Sequence, residues 1–244
     1  MVWTEKSLAW FDRAAARTSF YQQIVQQCSG LLAPETRVFD LGCGAGFLSM
    51  ALAPAVQRVA AVDINPRAIA FLREKCQEKN LSNVTCQVAD WHRWEPEQPA
   101  DVVFLCYCDG LFSQMEKLRT LVKKYLVVVL PVIKNNFHLE EFYPLPTQHP
   151  NRETIPRVKA FLEKEQISFQ IMPLSCEFGQ PFSSIGEYEE FLHFYYRIPR
   201  TSIPPAYTAQ YLHPSNGGYY LSNFKESGIL IMKSDDLHKG TWVG

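Results

Sequence analysis

From Arg37 to Val132 short apolar runs alternate with segments of helical period, and this alternation restricts the chain to a parallel sheet covered by helices. The strand signals are Arg37 to Leu41, Arg58 to Ile64, Val84 to Ala89, Asp101 to Cys106 and Tyr125 to Val132. Stretches such as VVFLC and LVVVL are almost unbroken apolar runs, the pattern of strands buried on both faces. Helices are expected at Phe47 to Ala55, at Pro66 to Lys79, and around Met115, Leu118 and Val122. Asn65 is the N-cap of the second of these. Pro66 takes the first helical position, where a missing N–H costs nothing, and Ile69, Leu72 and Cys76 then face the sheet.

On either side the rhythm changes. The first 35 residues read as two short helices broken near Thr18, the second carrying Phe20, Ile24, Cys28 and Leu31 behind Ser19 as N-cap. After Lys134 come His138, Phe142, Tyr143 and three prolines, read as a loop over the site, before a helix that starts near Ile155 and Pro156. Strands at Ser168 to Glu177 and Gly228 to Lys233 bring the expected sheet to seven. Between them lie a helix from Ser184 to Tyr196 and an aromatic, Pro-containing stretch from Ile198 to Tyr220, in which Asn216-Gly217 marks a turn into a strand. The whole is read as one α/β domain over 1–244, with a helical cap (1–33), a ligand-binding core (34–133) and a substrate-side part (134–244).

Composition narrows the partners. With 24 Lys and Arg against 25 Asp and Glu, the net charge of −1 creates no field for a phosphate backbone, so nucleic acid is disfavoured. The charges mixed through Trp3 to Arg17 do not resemble a signal peptide, and no apolar run approaches the roughly 20 residues of a membrane span. Seven cysteines without paired spacing fit a reducing compartment, so a cytoplasmic location is expected; the oligomeric state is open.

Asp40-Leu41-Gly42-Cys43-Gly44-Ala45-Gly46 stands where the first parallel strand hands over to a helix. Glycines there let the backbone turn sharply and approach a ligand closely. A dinucleotide fingerprint would need a third small residue where Phe47 stands. The G-x-G-x-G spacing behind an acid, in VFDLGCGAGFLS, instead resembles the first motif of class I methyltransferases, and the resemblance runs from about Val38 to Val132. It implies a seven-stranded, mostly parallel Rossmann-like sheet flanked by helices, and S-adenosyl-L-methionine as cofactor, with S-adenosyl-L-homocysteine as product. The cofactor positions it implies are Asp40, Gly42, Cys43, Gly44 and Gly46 in the loop. Asp63 and Ile64 end the second strand, Asp63 toward the ribose; Asp90 and Trp91 follow the third, toward the adenine; Cys106 ends the fourth.

The Asn/Asp-Pro-Pro-aromatic tetrapeptide of amide and adenine methylation is absent after the fourth strand, where Leu105-Cys106-Tyr107-Cys108-Asp109 stands, and this favours a small-molecule acceptor. Methyl transfer needs a base only if the nucleophile carries a proton. Tyr107, after the fourth strand, is the first choice for it and His138 the second. Cys106, Cys108 and Cys43 could as thiolates hold a soft acceptor such as a metalloid, but no second ligand pair accompanies them and no resident metal is expected. His193, Phe191, Phe194, Tyr195 and Tyr196 floor a pocket or simply fill a core, and Trp10, Phe11 and Tyr21 of the cap are placed over the site by the resemblance. The alternatives to a small-molecule enzyme are a cofactor-binding scaffold or regulator, and an RNA or protein methyltransferase.

Overall fold

Val102, Val103, Phe104 and Leu105 have no exposed surface, and their neighbours Val127, Val128 and Val129 have none either, so two adjacent strands are sealed on both faces. The computed structural model, which describes residues 3–132, 137–143 and 152–238, builds these strands into a seven-stranded sheet. Two helices come first, α1 (Glu5–Ala15) and α2 (Phe20–Gln27). There follow β1 (Arg37–Leu41), α3 (Phe47–Leu52), β2 (Arg58–Asp63), α4 (Pro66–Glu78), β3 (Val84–Val88), β4 (Ala100–Cys106), α5 (Met115–Leu121) and β5 (Val122–Pro131). Then come α6 (Ile155–Lys164), β6 (Gln170–Glu177), β7 (Gln180–Phe182), α7 (Ile185–Tyr196), α8 (Pro205–Tyr211), β8 (Leu212–Ser215), β9 (Gly218–Leu221), β10 (Phe224–Lys233) and α9 (Ser234–Leu237).

The sheet order is β3-β2-β1-β4-β5-β10-β6. The first five strands are parallel, and β10 runs antiparallel to both β5 and β6. Side chains alternate between two cores. Val38, Val102, Phe104, Val127, Val129 and Ile229 pack against Phe20 and Ile24 of α2 and Leu48 and Leu52 of α3. Leu41, Val103, Leu105, Leu126, Val128 and Leu230 pack against Met115 and Leu118 of α5 and Val158 and Leu162 of α6.

All seven expected strands are present, with edges shifted by a few residues. Val122 differs from expectation: α5 ends at Leu121, and Val122 already pairs with Ala100 as the first residue of β5. The Phe47 helix stops at Leu52 and passes into a 3-10 turn containing Pro54, which has no N–H to continue it. Asn65 caps α4 as expected, accepting from the Arg67 and Ala68 amides at 3.0 and 3.2 Å. Ser19 does not cap α2 with its side chain. Thr18 Oγ1 accepts from the Phe20 amide instead (3.1 Å), while Ser19 Oγ accepts from Gln23 Nε2 (2.8 Å).

The second sheet is the larger surprise. The strand expected after Asn216-Gly217 is β9, and it pairs with two unexpected strands, β8 before the turn and β7 ahead of α7, in a separate antiparallel unit. Its edge strands carry Pro181 and Pro214, which an edge tolerates and a central strand does not. Gly217, at φ +77, makes the two-residue turn between β8 and β9. Behind this sheet Trp10, Tyr188, Phe191, Leu192 and Tyr207 form a third core. The three prolines of the expected loop, Pro144, Pro146 and Pro150, lie outside the described residues.

Candidate functional site

Strand order reverses between β1 and β4, the place where open α/β sheets leave a crevice beyond the carboxyl ends of their strands. The Gly loop lies there. Gly42, Gly44 and Gly46 have φ of +67, +53 and +73. A Cβ on Gly46 would stand 2.3 Å from Leu72 Cδ1 of α4, so glycine serves both the left-handed backbone and the close helix packing. The loop amides turn inward: Gly42 and Cys43 donate to Val62 O at 2.8 and 3.1 Å, Gly46 to Cys43 O at 2.9 Å, and Gly44 to Asp63 Oδ2 at 2.8 Å. With these donors used inside the protein, the loop is a rigid shelf and not a phosphate cradle.

Asp63 accepts from Gly44 with one oxygen and from the Asn65 amide with the other (2.8 Å). Each carboxylate oxygen has a second lone pair, so a ribose hydroxyl can still be accepted at either. Ile64 beside it is 69% exposed, an uncovered apolar face next to a polar one. Asp90 is part-exposed and holds its own turn through the His92 amide (3.1 Å). Trp91 is placed differently from the adenine platform expected: it is buried in the main core, with its ring against Gly110 and His92.

Asp40 is enclosed under the loop and accepts a hydrogen bond from Ser49 of α3. Burial raises its pKa to about 6; the Ser49 bond opposes this and the Asp63 charge adds to it. Tyr21 of α2 lies close to Asp40, Cys106 and Tyr107, so the cap does reach the site, and its phenol is raised chiefly by burial. Phe11 packs on Trp3 and Phe47, and Trp3 covers Gly44, where a Cβ would come within 2.9 Å of the indole. Trp10 does not lie over the site; it is part of the third core and donates to Glu187 at 2.9 Å.

At the end of β4, Tyr107 has a left-handed backbone, φ +54, unusual for an aromatic residue. Its hydroxyl shares a hydrogen bond of 2.8 Å with Ser227 of β10, and burial pushes its pKa well up, which makes it a poor base at neutral pH. His138 is not brought to Tyr107: its ring stacks on Tyr211 at 5.0 Å and its Nδ1 meets Glu141 at 3.1 Å, beside the third core. His193 Nδ1 lies 3.2 Å from Ile198 O, on the same side of the molecule. Burial likewise raises the thiols of Cys43, Cys106 and Cys108, the last to about 12, so they are not the thiolates a metalloid would need.

A family profile described as a methyltransferase domain matches residues 38–131, from β1 to the end of β5. Over that stretch the chain is similar to a methyltransferase domain. Over 98 residues the chain is 29% identical to nodulation protein S of Sinorhizobium fredii (strain NGR234), covering 40% of this chain and 44% of that protein. Over 78 residues it is 36% identical to the tabtoxin biosynthesis enzyme of Pseudomonas amygdali pv. tabaci, covering 32% and 28%. The matched part thus spans less than half of either curated relative. The structure of YcgJ from Bacillus subtilis shares the fold, with a TM-score of 0.54 at 18% identity over 87% of this chain and 96% of that one.

That similarity covers the shelf, Asp63 and Asp90, and not what stands against Tyr107 from outside residues 38–131. Lys225 of β10 and Arg152 both lie over the Tyr107 ring. Sequence reading missed them, because each stands in a segment without motif, far from residues 38–131 along the chain.

Proposed function

We propose that this protein transfers a methyl group from S-adenosylmethionine to a small-molecule acceptor. The observation that carries the reading is the loop itself: its amides are spent inside the protein, and its acidic neighbour Asp63 is set for hydroxyls. That arrangement suits a nucleoside ligand without phosphates, and the family profile covers the same residues. When bound, the cofactor offers an electrophilic methyl on a sulfonium and departs as a neutral thioether, so no acid is required.

The protein's own work is then placement. Asp63 would receive the ribose hydroxyls, Ile64 and Asp90 would border the adenine, and the Gly42–Gly46 shelf would hold the amino-acid end, with Cys106 closing it at β4. Asp40 acts through Ser49, fixing α3 against β1. Tyr107, held by Ser227, orients the acceptor, and most of the rate comes from bringing nucleophile and methyl together away from water. The name of one relative, tabtoxin biosynthesis enzyme, accords with a small molecule as acceptor. No helix among the described residues is long and apolar enough to cross a membrane. All seven cysteines are free, which fits the reducing cytoplasm we propose for the protein.

Thermal-shift titration tests this. S-adenosylmethionine and S-adenosylhomocysteine at about 100 times their dissociation constants are expected to add roughly 2.7 kcal/mol and raise the midpoint by several degrees, with NAD inert. Asp63→Asn is expected to weaken both by about tenfold, the loss of one charge-assisted hydrogen bond. A response to NAD alone, or to none of the three, defeats the reading.

A further inference from the structure

Lys225 leaves β10 two residues before Ser227 and points its ammonium into a set of aromatic rings at the carboxyl end of β4. Its Nζ stands 3.5 Å from the Phe178 centroid, 4.9 Å from Tyr107, 5.0 Å from Phe20 and 5.9 Å from Phe11. Rings from α1, α2, the end of β4 and the segment after β6 thus converge on one charge. The Arg152 guanidinium stands over the same Tyr107 ring, 5.7 Å from its centroid. Arg152 is held there by its neighbour Glu153, whose carboxylate accepts from the amides of Gly110 and Phe112 (3.2 and 2.9 Å) and whose amide donates to Asp109 Oδ1 (3.0 Å).

Neither cation has an acidic partner. Among the described residues no ion pair or side-chain hydrogen bond is made by Lys225 or by the Arg152 guanidinium. The nearby acids are engaged elsewhere: Glu226 accepts from Ser175 Oγ at 2.6 Å, and Asp40 from Ser49. The residues outside the described ranges include neither Asp nor Glu, so they hold no side-chain carboxylate to supply. Cation–π contact recovers only part of what an ammonium loses on leaving water, and it satisfies none of the three N–H donors. In keeping with this, burial lowers the Lys225 pKa to about 8, with the Arg152 charge pressing the same way. Two cations without a carboxylate partner thus face one ring beside the end of β4.

We infer that Lys225 and Arg152 are the anion subsite of the acceptor site, so that the acceptor is a small organic anion held by a carboxylate or phosphate, its apolar body lying against the partly exposed Tyr107. The word acceptor rests on the methyl-transfer reading; the anion subsite stands on its own geometry. A cationic acceptor is disfavoured because an ammonium already fills the ring cluster.

The test is calorimetric titration of the full chain, with and without saturating S-adenosylhomocysteine, using four probes of similar shape: benzoate, phenyl phosphate, benzyl alcohol and benzylamine. Benzoate or phenyl phosphate is expected to bind saturably, at least tenfold tighter than benzyl alcohol, with benzylamine showing no binding. Whichever anion binds more tightly identifies the head group. Lys225→Met and Arg152→Gln are each expected to weaken the anion at least tenfold while leaving S-adenosylhomocysteine affinity within twofold. Equal binding of benzyl alcohol, preference for benzylamine, no binding of either anion, or anion binding unchanged in both variants overturns the proposal. Should a variant lose its fold, the ranking of the four probes on the unaltered protein decides. If S-adenosylhomocysteine fails to bind, the cofactor reading falls, while the titrations without it still decide the anion subsite.

Discussion

Asp40 shows how a single enclosed carboxyl links the site to stability. Its pKa, raised by burial to about 6 from an ordinary 3.8, means that the folded protein holds this proton more tightly than the unfolded chain. The stabilisation is complete below about pH 3.8 and is lost as pH rises through about 6. Asp40→Asn keeps an acceptor for Ser49 without the charge, so the ligand-free variant is expected to gain on the order of 2 kcal/mol over the parent at pH 8 and almost nothing at pH 4, measured by urea unfolding. Residues of this kind were legible in the sequence because strand ends fix where an acid must stand; Asp40 and Asp63 needed only the pattern around them. Trp91 was not, since a Trp after a strand reads the same whether it turns outward or into the core. Lys225 and Arg152 carried no signal at all, because their meaning comes from rings that four separate segments bring together.

Among the elements, α1 is fixed by a clamp onto α7. Glu187 accepts from Trp10 Nε1 at 2.9 Å, from the Ser183 amide and hydroxyl at 2.6 and 2.8 Å, and from Arg13, with which it is also ion-paired. Burial alone would raise this carboxyl, but the bonds from Arg13, Ser183 and Trp10 outweigh it and hold the pKa at about 2. A depressed pKa contributes stability above the ordinary 4.5 that disappears as pH falls through about 2. Glu187→Gln is expected to cost about 2 kcal/mol at pH 7, and the difference from the parent should shrink between pH 4.5 and pH 2 in denaturant melts. The clamp also bears on how the cap should be probed. Phe20, Ile24 and Cys28 of the cap are fully buried in the core between the large sheet and α3, so deleting the first 30 residues would remove core as well as cover. The capped start of α4 and the five central strands could be read from sequence, since Asn65-Pro66 and unbroken apolar runs have few alternative meanings. Of the outer sheet only the turn into β9 could be read, because β7 and β8, of three and four residues with a proline in each, show no period.

At the scale of the molecule, the two sheets differ in how firmly they are held. In the large sheet β4 and β5 are sealed on both faces, whereas β7, β8 and β9 are short and β8 is mostly exposed. Hydrogen exchange is therefore expected to be slowest in β1, β4 and β5 and faster in the outer sheet, whose three short strands form brief ladders at the surface. Mass spectrometry of exchanged peptides checks this; equal protection in both would mean that they open as one unit. The family profile covers residues 38–131, which carry the Gly shelf, whereas the other rings around Lys225 come from both ends of the chain. The Glu187 clamp ties those two ends together, with Gln180 Nε2 adding a bond of 3.0 Å to Trp10 O. The unit that an engineer could transplant to give another scaffold this specificity is consequently not a contiguous cassette. α1 must travel with β7 and α7, and a chimaera joined at either boundary alone would inherit half a lock.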